Sequence, residues 1–250
     1  MAMPKRLIAL MALATLLVAT GVAVAAPAGD PHYPDLRTTR KYLARDLRIV
    51  HEGGRKLLRF SNNVRNDGDG PLELRPENDP VTNTTDAYQR VYSHDEDGSW
   101  YLDSEIKVGT FAFHEAHNHW HFADFAGYYL HEVTSRGWLG PLIGEGSKVT
   151  FCIADVVRID STLEHSASTA AYPVSNCDQN STTGLSVGWG DTYKYSLADQ
   201  SIDITGLPDG RYWLVSTADP DNRLLETNDA NNSTKLKIEI RRDRVVNLTS

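Results

Sequence analysis

Cysteine is scarce in this 250-residue sequence, which contains only Cys152 and Cys177. Two cysteines allow at most one internal disulfide, which excludes a small scaffold held together by several bridges. Basic residues are fewer than acidic residues, with 25 Lys and Arg against 33 Asp and Glu and a formal net charge of -8. An acidic surface argues against nucleic-acid binding and favours cationic partners, among them amines and lysine-rich proteins.

Long apolar runs are absent after residue 24, and no later stretch is apolar enough to cross a bilayer. The start of the chain differs, because a basic segment precedes an apolar run over residues 7–24 that ends in small residues. This pattern predicts a secretory signal peptide over residues 1–25, of bacterial style, with cleavage after Ala25 or Ala26. The protein is therefore expected to be secreted, without stable membrane insertion once the leader is removed. An uncleaved membrane anchor is the alternative.

The two cysteines are expected to be joined, because disulfides form and persist in an oxidising exported setting. Two free buried thiols are the alternative. A Cys152–Cys177 bridge would close the long polar loop predicted over residues 154–184. By the loop-entropy model such a bridge contributes about 3 kcal/mol.

No long helical pattern follows the leader. Short strand-like stretches alternate with turn-forming sequences, and residues 235–240 alternate cleanly between apolar and charged side chains. This pattern predicts an all-β fold: a β-sandwich of short antiparallel strands with long loops and little helix. Without an internal repeat or a clear linker, residues 26–250 are predicted to form one domain.

Three local predictions concern how the strands connect. Residues 76–86 and 137–146 are rich in turn-forming residues, which favours connections there. Residues 127–133 are predicted to form a strand that pairs with the histidine-rich stretch before them. Residues 148–153 are predicted to form a further strand with Lys148 at its start.

Four of the nine histidines fall within residues 114–121. His117, His119 and His121 alternate, so on a β-strand they would share one face at roughly 7 Å spacing. Neutral imidazole suits copper, zinc, iron and nickel, and three protein ligands leave a position open for substrate or oxygen. The stretch therefore predicts a catalytic metal site; a surface His-rich tract is the alternative, disfavoured by the aromatic flanks. His114 breaks the alternation and is expected beside the ligands rather than among them.

The histidine stretch resembles the copper-binding motif of lysyl oxidases. Other segments are similar to segments of the same family and occur along this chain in the same order. Together they span most of the chain after the leader. They are residues 57–68, 145–152 with the sequence EGSKVTFC, 188–193 with the sequence GWGDTY, 203–213 and 226–232.

The resemblance implies a copper amine oxidase in which His117, His119 and His121 bind Cu²⁺. It also implies a lysyl tyrosylquinone made by cross-linking Lys148 to Tyr193. Such an enzyme oxidises peptidyl lysine or other primary amines to aldehydes with O₂, releasing hydrogen peroxide and ammonia.

A general base is needed to remove a proton from the bound amine. Asp191 is the candidate, because it lies two residues before Tyr193. Asp124 and Asp203 are the alternatives.

Two other functions use the same histidines without catalysis. One is an extracytoplasmic β-sandwich module that binds copper or zinc, and the other is a copper-sequestering protein. Neither of these functions requires Lys148 or Tyr193, so variants of these two residues distinguish an oxidase from a binding protein.

Overall fold

The computed structural model describes residues 29–79, 84–95, 97–115, 118–148 and 150–249. The predicted leader and His117 lie outside these ranges. Within them, no helix has both the length and the apolar character needed to cross a membrane.

The described residues form nineteen β-strands and very little helix. The first nine strands are β1 (Pro31–His32), β2 (Leu36–Thr38), β3 (Arg48–Glu52), β4 (Arg55–Arg59), β5 (Asn62–Asn66), β6 (Leu72–Asp79), β7 (Thr84–His94), β8 (Trp100–His114) and β9 (His119–Ala123). The others are β10 (Ala126–Val133), β11 (Leu139–Glu145), β12 (Thr150–Phe151), β13 (Val157–Arg158), β14 (Thr183–Leu185), β15 (Trp189–Tyr193), β16 (Ser201–Asp203), β17 (Gly210–Ala218), β18 (Ser233–Arg241) and β19 (Arg244–Asn247). Helical structure comprises α1 (Arg40–Arg45) and two 3₁₀ turns, Val174–Asn176 and Asp229–Asn231.

The strands form four sheets. A seven-stranded sheet has the order β12-β9-β8-β7-β6-β14, with β1 paired to β7, and a five-stranded sheet has the order β11-β10-β17-β18-β19. Two smaller sheets have the orders β13-β15-β5-β2 and β16-β4-β3. Every strand pair in them is antiparallel. The all-β prediction is confirmed.

Strand β18 shows how the sequence specifies these sheets. Leu236, Ile238 and Ile240 are fully buried, whereas the charged residues between them face outward. Successive side chains on a strand point to opposite faces, so this alternation fixes which face meets the core.

A single cluster of buried apolar side chains draws on all four sheets. Phe60, which lies between β4 and β5, packs edge-on against Tyr128 of the five-stranded sheet, with ring centroids 5.0 Å apart. Tyr193 belongs to the same cluster. This predicted site residue is therefore anchored in the main core.

The local predictions of connectivity were wrong in four places. Within residues 76–86, residues 76–79 and 84–86 belong to strands, because β6 and β7 pair along Glu73–Asp79 despite Pro76. Strand β11 covers most of residues 137–146. Strand β10 pairs with β11 and β17 instead of the histidine strand. The strand predicted over residues 148–153 is reduced to β12. Pairing with a neighbouring strand outweighs local turn propensity, which is a weak determinant of strand formation.

Truncation of Phe60 tests how much this buried aromatic ring contributes to the core. Phe60→Ala should lower the free energy of unfolding by about 3–5 kcal/mol, because it removes a fully buried ring from the core. Denaturant unfolding measures the change. Val246→Ala, at a half-exposed position, is the matched control and should stay within about 0.5 kcal/mol of the parent chain. Equal losses for the two variants would contradict this account of the core.

Candidate active site

The histidine motif forms a hairpin rather than one strand. Strand β8 ends at His114 and β9 begins at His119, and these two residues face each other in the register of the pair. Between them the chain turns, and Asn118 has a positive φ of 55°. Of the three alternating histidines, His119 and His121 lie on β9, and Asn118 lies in the turn before that strand. A shared face that includes His117 stays a prediction.

Three imidazole rings gather on this hairpin. The rings of His119 and His121 are 4.7 Å apart, as expected for neighbours on one strand face. His114 lies equally close to His121, with ring centroids 4.8 Å apart. The structure thus brings His114 into the cluster, where the sequence predicted it only beside the ligands. His117, the remaining predicted ligand, lies outside the described residues.

His121 is the most deeply placed of these histidines, with 1% of its surface exposed. Its Nδ1 lies 2.9 Å from the Thr150 hydroxyl on the adjacent strand β12. A hydrogen bond at one ring nitrogen fixes the orientation of the imidazole ring. Among the described residues no three His, Cys, Asp or Glu side chains are already arranged to hold an ion. Any test of the full predicted ligand set therefore has to include His117.

A cavity of about 470 Å³ opens beside the hairpin. Five residues of the predicted site contribute to its wall: His119, His121, Lys148, Asp191 and Tyr193. The remainder of the wall includes Cys152, Val156, Val174 and Leu197. Cys152 is joined to Cys177 as predicted, so the disulfide lies at the edge of this cavity.

Lys148 enters the cavity as a buried amine with 6% of its surface exposed. Its Nζ is 5.1 Å from the centre of the Phe151 ring and 6.0 Å from the centre of the Tyr193 ring. Burial lowers the pKa of Lys148, although Asp199 and Asp191 act in the opposite direction. A larger fraction of this amine is therefore neutral, and only the neutral form is a nucleophile.

Tyr193 and Asp191 lie two residues apart on β15 and share one buried face. The Tyr193 hydroxyl donates a hydrogen bond to Asp191 Oδ2 and also lies 3.2 Å from the Cys152 carbonyl oxygen. Asp191 Oδ2 accepts a further bond from the Ala154 amide at 3.2 Å. Desolvation raises the pKa of Asp191 to about 7, against these hydrogen bonds, and burial beside Asp191 raises the pKa of Tyr193 well above its usual value.

The other predicted residues lie elsewhere. Asp124 forms an exposed ion pair with Arg223 at 3.1 Å, and Asp203 caps the Thr205 amide at 2.9 Å on the surface. Neither lines the cavity, so Asp191 is the better candidate for the base. Tyr195, two residues beyond Tyr193, stacks under the Arg48 guanidinium at 3.5 Å and does not line the cavity.

Sequence reasoning missed two residues of this site. Thr150 orients His121, and Phe151 packs edge-on against Tyr193 at 4.8 Å while lying under the Lys148 amine. Both residues follow Lys148 closely in the sequence, and this proximity was the signal that could have identified them. The pairing of β12 with β9, which gives them these contacts, could not be predicted from local sequence.

The described residues form an all-β structure in which a histidine hairpin lies beside a buried lysine, tyrosine and carboxylate. The Lysyl oxidase family model matches residues 95–249. This chain therefore belongs to the lysyl oxidase family.

Relatives with curated descriptions agree with this assignment. Lysyl oxidase homolog 3A of Danio rerio is 28% identical over 181 residues, which cover 72% of this chain and 19% of that protein. Lysyl oxidase homolog 1 of Homo sapiens is 32% identical over 130 residues, covering 52% of this chain and 20% of the relative. The match spans about a fifth of the length of these relatives.

Replacing Thr150 tests its role at the histidine hairpin. Thr150→Val keeps the shape of the side chain but removes the hydroxyl that contacts His121. Copper affinity should fall about 10- to 100-fold, as is typical when a partner that orients a metal ligand is lost. Competition against a chelator of known affinity measures the change. Thr162→Val, in the exposed loop, is the control and should leave the affinity unchanged; an unchanged affinity in Thr150→Val would contradict the role given to Thr150.

The raised pKa of Asp191 predicts a pH dependence of stability. The folded chain binds the Asp191 proton more tightly than the unfolded chain, whose ordinary value is 3.8. The stabilisation is complete below about pH 4 and is lost as the pH rises through about 7. Asp191→Asn should remove this contribution, which amounts to a few kcal/mol at most.

Denaturant unfolding of the copper-free chain at pH 5 and pH 8 measures the effect. The difference in unfolding free energy between the two pH values should be smaller in Asp191→Asn than in the parent. Asp124→Asn, at an exposed carboxylate, is the matched control. An identical pH dependence in the parent and in Asp191→Asn would show that Asp191 is ionised in the folded chain throughout this range.

Proposed function

We propose that this chain is a secreted copper-dependent amine oxidase acting on the primary amine of peptidyl lysine or of small molecules. The net reaction converts RCH₂NH₂, O₂ and water to an aldehyde, ammonia and hydrogen peroxide. One observation carries the proposal: the cavity that Lys148, Asp191 and Tyr193 line is also lined by two histidines of the predicted copper site. The signal peptide predicted over residues 1–25, ahead of a domain predicted over residues 26–250, is the basis for the proposed extracellular location.

The residues suit the cofactors that the family implies. His119 and His121, with His117, would hold Cu²⁺ through imidazole nitrogens, which are ligands that copper favours. Lys148 and Tyr193 would be the two halves of the lysyl tyrosylquinone. When present, copper and the quinone would supply an electrophilic carbonyl for the amine and a path for electrons to oxygen.

Lys148 is prepared for cross-linking by its surroundings. Its amine is kept partly neutral by burial and lies in the same cavity as the Tyr193 ring, 6.0 Å from the ring centre. A neutral amine adds to an oxidised aromatic ring, whereas an ammonium does not. Phe151 supports both groups, because its ring contacts Tyr193 and lies under the amine.

Asp191 is the proton acceptor of the proposed site. Its pKa of about 7 allows the carboxyl to take up or release a proton near neutral pH, which is the condition for efficient general acid–base catalysis. Its Oδ2 already accepts the Tyr193 proton in a hydrogen bond. Asp191 is thus placed to take a proton from the tyrosine side of the cavity and, during turnover, from the carbon next to the substrate nitrogen.

The walls favour the carbon chain of a lysine. Val156, Val174 and Leu197 line the same cavity as the ionisable groups. Apolar walls accept the methylene stem, and the buried reacting groups are kept from bulk water. This arrangement suits an alkylamine better than a compact polar amine.

Turnover of n-butylamine by the aerobically copper-loaded mature chain tests the proposal. Peroxide and ammonia should form with the parent chain and fall to background in Lys148→Ala and in Tyr193→Phe, because each variant removes one half of the quinone. Tyr195→Phe is the matched control and should keep its activity, since Tyr195 lies outside the cavity.

Two outcomes would contradict the oxidase function. Activity in Lys148→Ala would show that no lysine-derived cofactor is required. A parent chain that binds copper tightly but never produces peroxide would favour the alternative of a copper- or zinc-binding module without catalysis.

A further inference from the structure

A second cavity, of about 300 Å³, lies apart from the candidate active site and shares no lining residue with it. Its walls are largely aromatic, from Tyr92, Trp100, His165 and Tyr172, with Glu73 as the acidic residue. A mostly apolar cavity with a few placed polar groups is the usual form of a ligand site.

Glu73 is the polar centre of this cavity. Its side chain is only 14% exposed, and it accepts hydrogen bonds from the Tyr92 hydroxyl at 2.6 Å and the Tyr172 hydroxyl at 2.7 Å. Burial, with the nearby Glu73, raises the pKa of Tyr92 to about 12 and that of Tyr172 further. Both hydroxyls therefore remain donors to the carboxylate, and their oxygen lone pairs can accept a bond from a cation.

The ion pairs around Glu73 form a network with a net negative charge. Arg90 bonds Glu73 at 3.2 Å and Glu105 at 2.7 Å, while Arg75 bonds Glu105 at 2.7 Å and Glu77 at 2.8 Å. Three carboxylates thus share two guanidinium groups, and Glu73 is the carboxylate of this network that lines the cavity. The net charge of the network is negative by one, which favours a cationic occupant.

Trp100 forms the outer wall. It is 42% exposed, and its orientation is held by His94 at 3.8 Å and His165 at 5.1 Å between ring centroids. A large exposed aromatic ring at the rim of a cavity is a feature of recognition sites. The faces of Trp and Tyr attract ammonium groups, and their carbon surfaces also suit a methylene stem.

We propose that this second cavity binds the ammonium group of a lysine side chain, through Glu73 and the surrounding aromatic rings. The binding itself does not require catalysis. Its role, which rests on the proposed function, is to hold a lysine-rich protein substrate while another lysine of that protein enters the active site.

One short segment connects the two cavities. The Asp155 carboxylate accepts bonds from the amides of Ala171 at 2.8 Å and Ser186 at 2.8 Å, two residues of the second cavity. The residues on either side of Asp155 belong to the active site, since Ala154 donates to Asp191 and Val156 lines that cavity. A protein with several lysines that engaged both sites at once would bind with a higher effective affinity than a single lysine.

Nuclear magnetic resonance of the full mature chain tests binding at this cavity. The chain carries Tyr193→Phe so that no turnover occurs, and the indole N–H resonance of Trp100 is assigned by its loss in Trp100→Leu. N-acetyl-lysine methylamide is titrated at pH 7.5, above the ordinary pKa of histidine. The Trp100 resonance should shift in a saturable manner, and N-acetyl-norleucine methylamide, which has an apolar chain but no ammonium, should bind at least fivefold more weakly.

Glu73→Gln should weaken binding of the lysine probe at least fivefold, and the other indole resonances report whether this variant is folded. If it does not fold, the comparison of the lysine and norleucine probes still decides the proposal. A Trp100 resonance that does not move, or that responds equally to both probes, would overturn it.

Kinetics of the active chain test the role in substrate docking. Trp100→Leu should raise the KM for polylysine about three- to tenfold while kcat/KM for n-butylamine stays unchanged. Trp138→Leu, at a 70% exposed position, is the matched control and should change neither. An unchanged KM for polylysine in Trp100→Leu would exclude the docking role. If the chain shows no oxidase activity at all, the NMR titration still tests whether the second cavity binds lysine.

Discussion

The candidate active site depends on one buried interaction, the hydrogen bond from the Tyr193 hydroxyl to the Asp191 carboxyl. Neither group is solvated, and the resulting desolvation raises the pKa of both. The pair therefore keeps its proton at a pH where an exposed aspartate would have lost it. A tyrosine held by a carboxyl that titrates near neutral pH is positioned for proton transfer, and the rest of the cavity is arranged around this ring.

The fold brings the other groups to this pair from separate sheets. Strand β15 carries Asp191 and Tyr193, whereas β9 and β12 of the seven-stranded sheet supply the histidines and Phe151. The aromatic contact between Phe151 and Tyr193 joins these two sheets directly below Lys148. Because the site lies on the main core, its geometry and the stability of the domain depend on the same packing.

Much of this site could be predicted from sequence, the histidines from their spacing and Lys148 and Tyr193 from the family resemblance. The two-residue spacing of His119 and His121, and of Asp191 and Tyr193, places each pair on one strand face, as the period of a strand requires. What failed depends on which strands pair. The hairpin that brings His114 to His121, the strand β11 in a turn-rich stretch and the partners of β10 all follow from which strands meet. The second cavity, with Glu73 and Tyr172 99 residues apart, had no local signal.

Peptide mapping by mass spectrometry tests directly whether Lys148 and Tyr193 form a cofactor. The mature chain is loaded with copper, exposed to air, digested and compared with a sample kept anaerobic and copper-free. One peptide joining Lys148 to Tyr193 is expected in the aerobic copper-loaded sample alone. Recovery of both residues in separate unmodified peptides after aerobic loading would contradict it, and the cavity would then have no role in forming a cofactor.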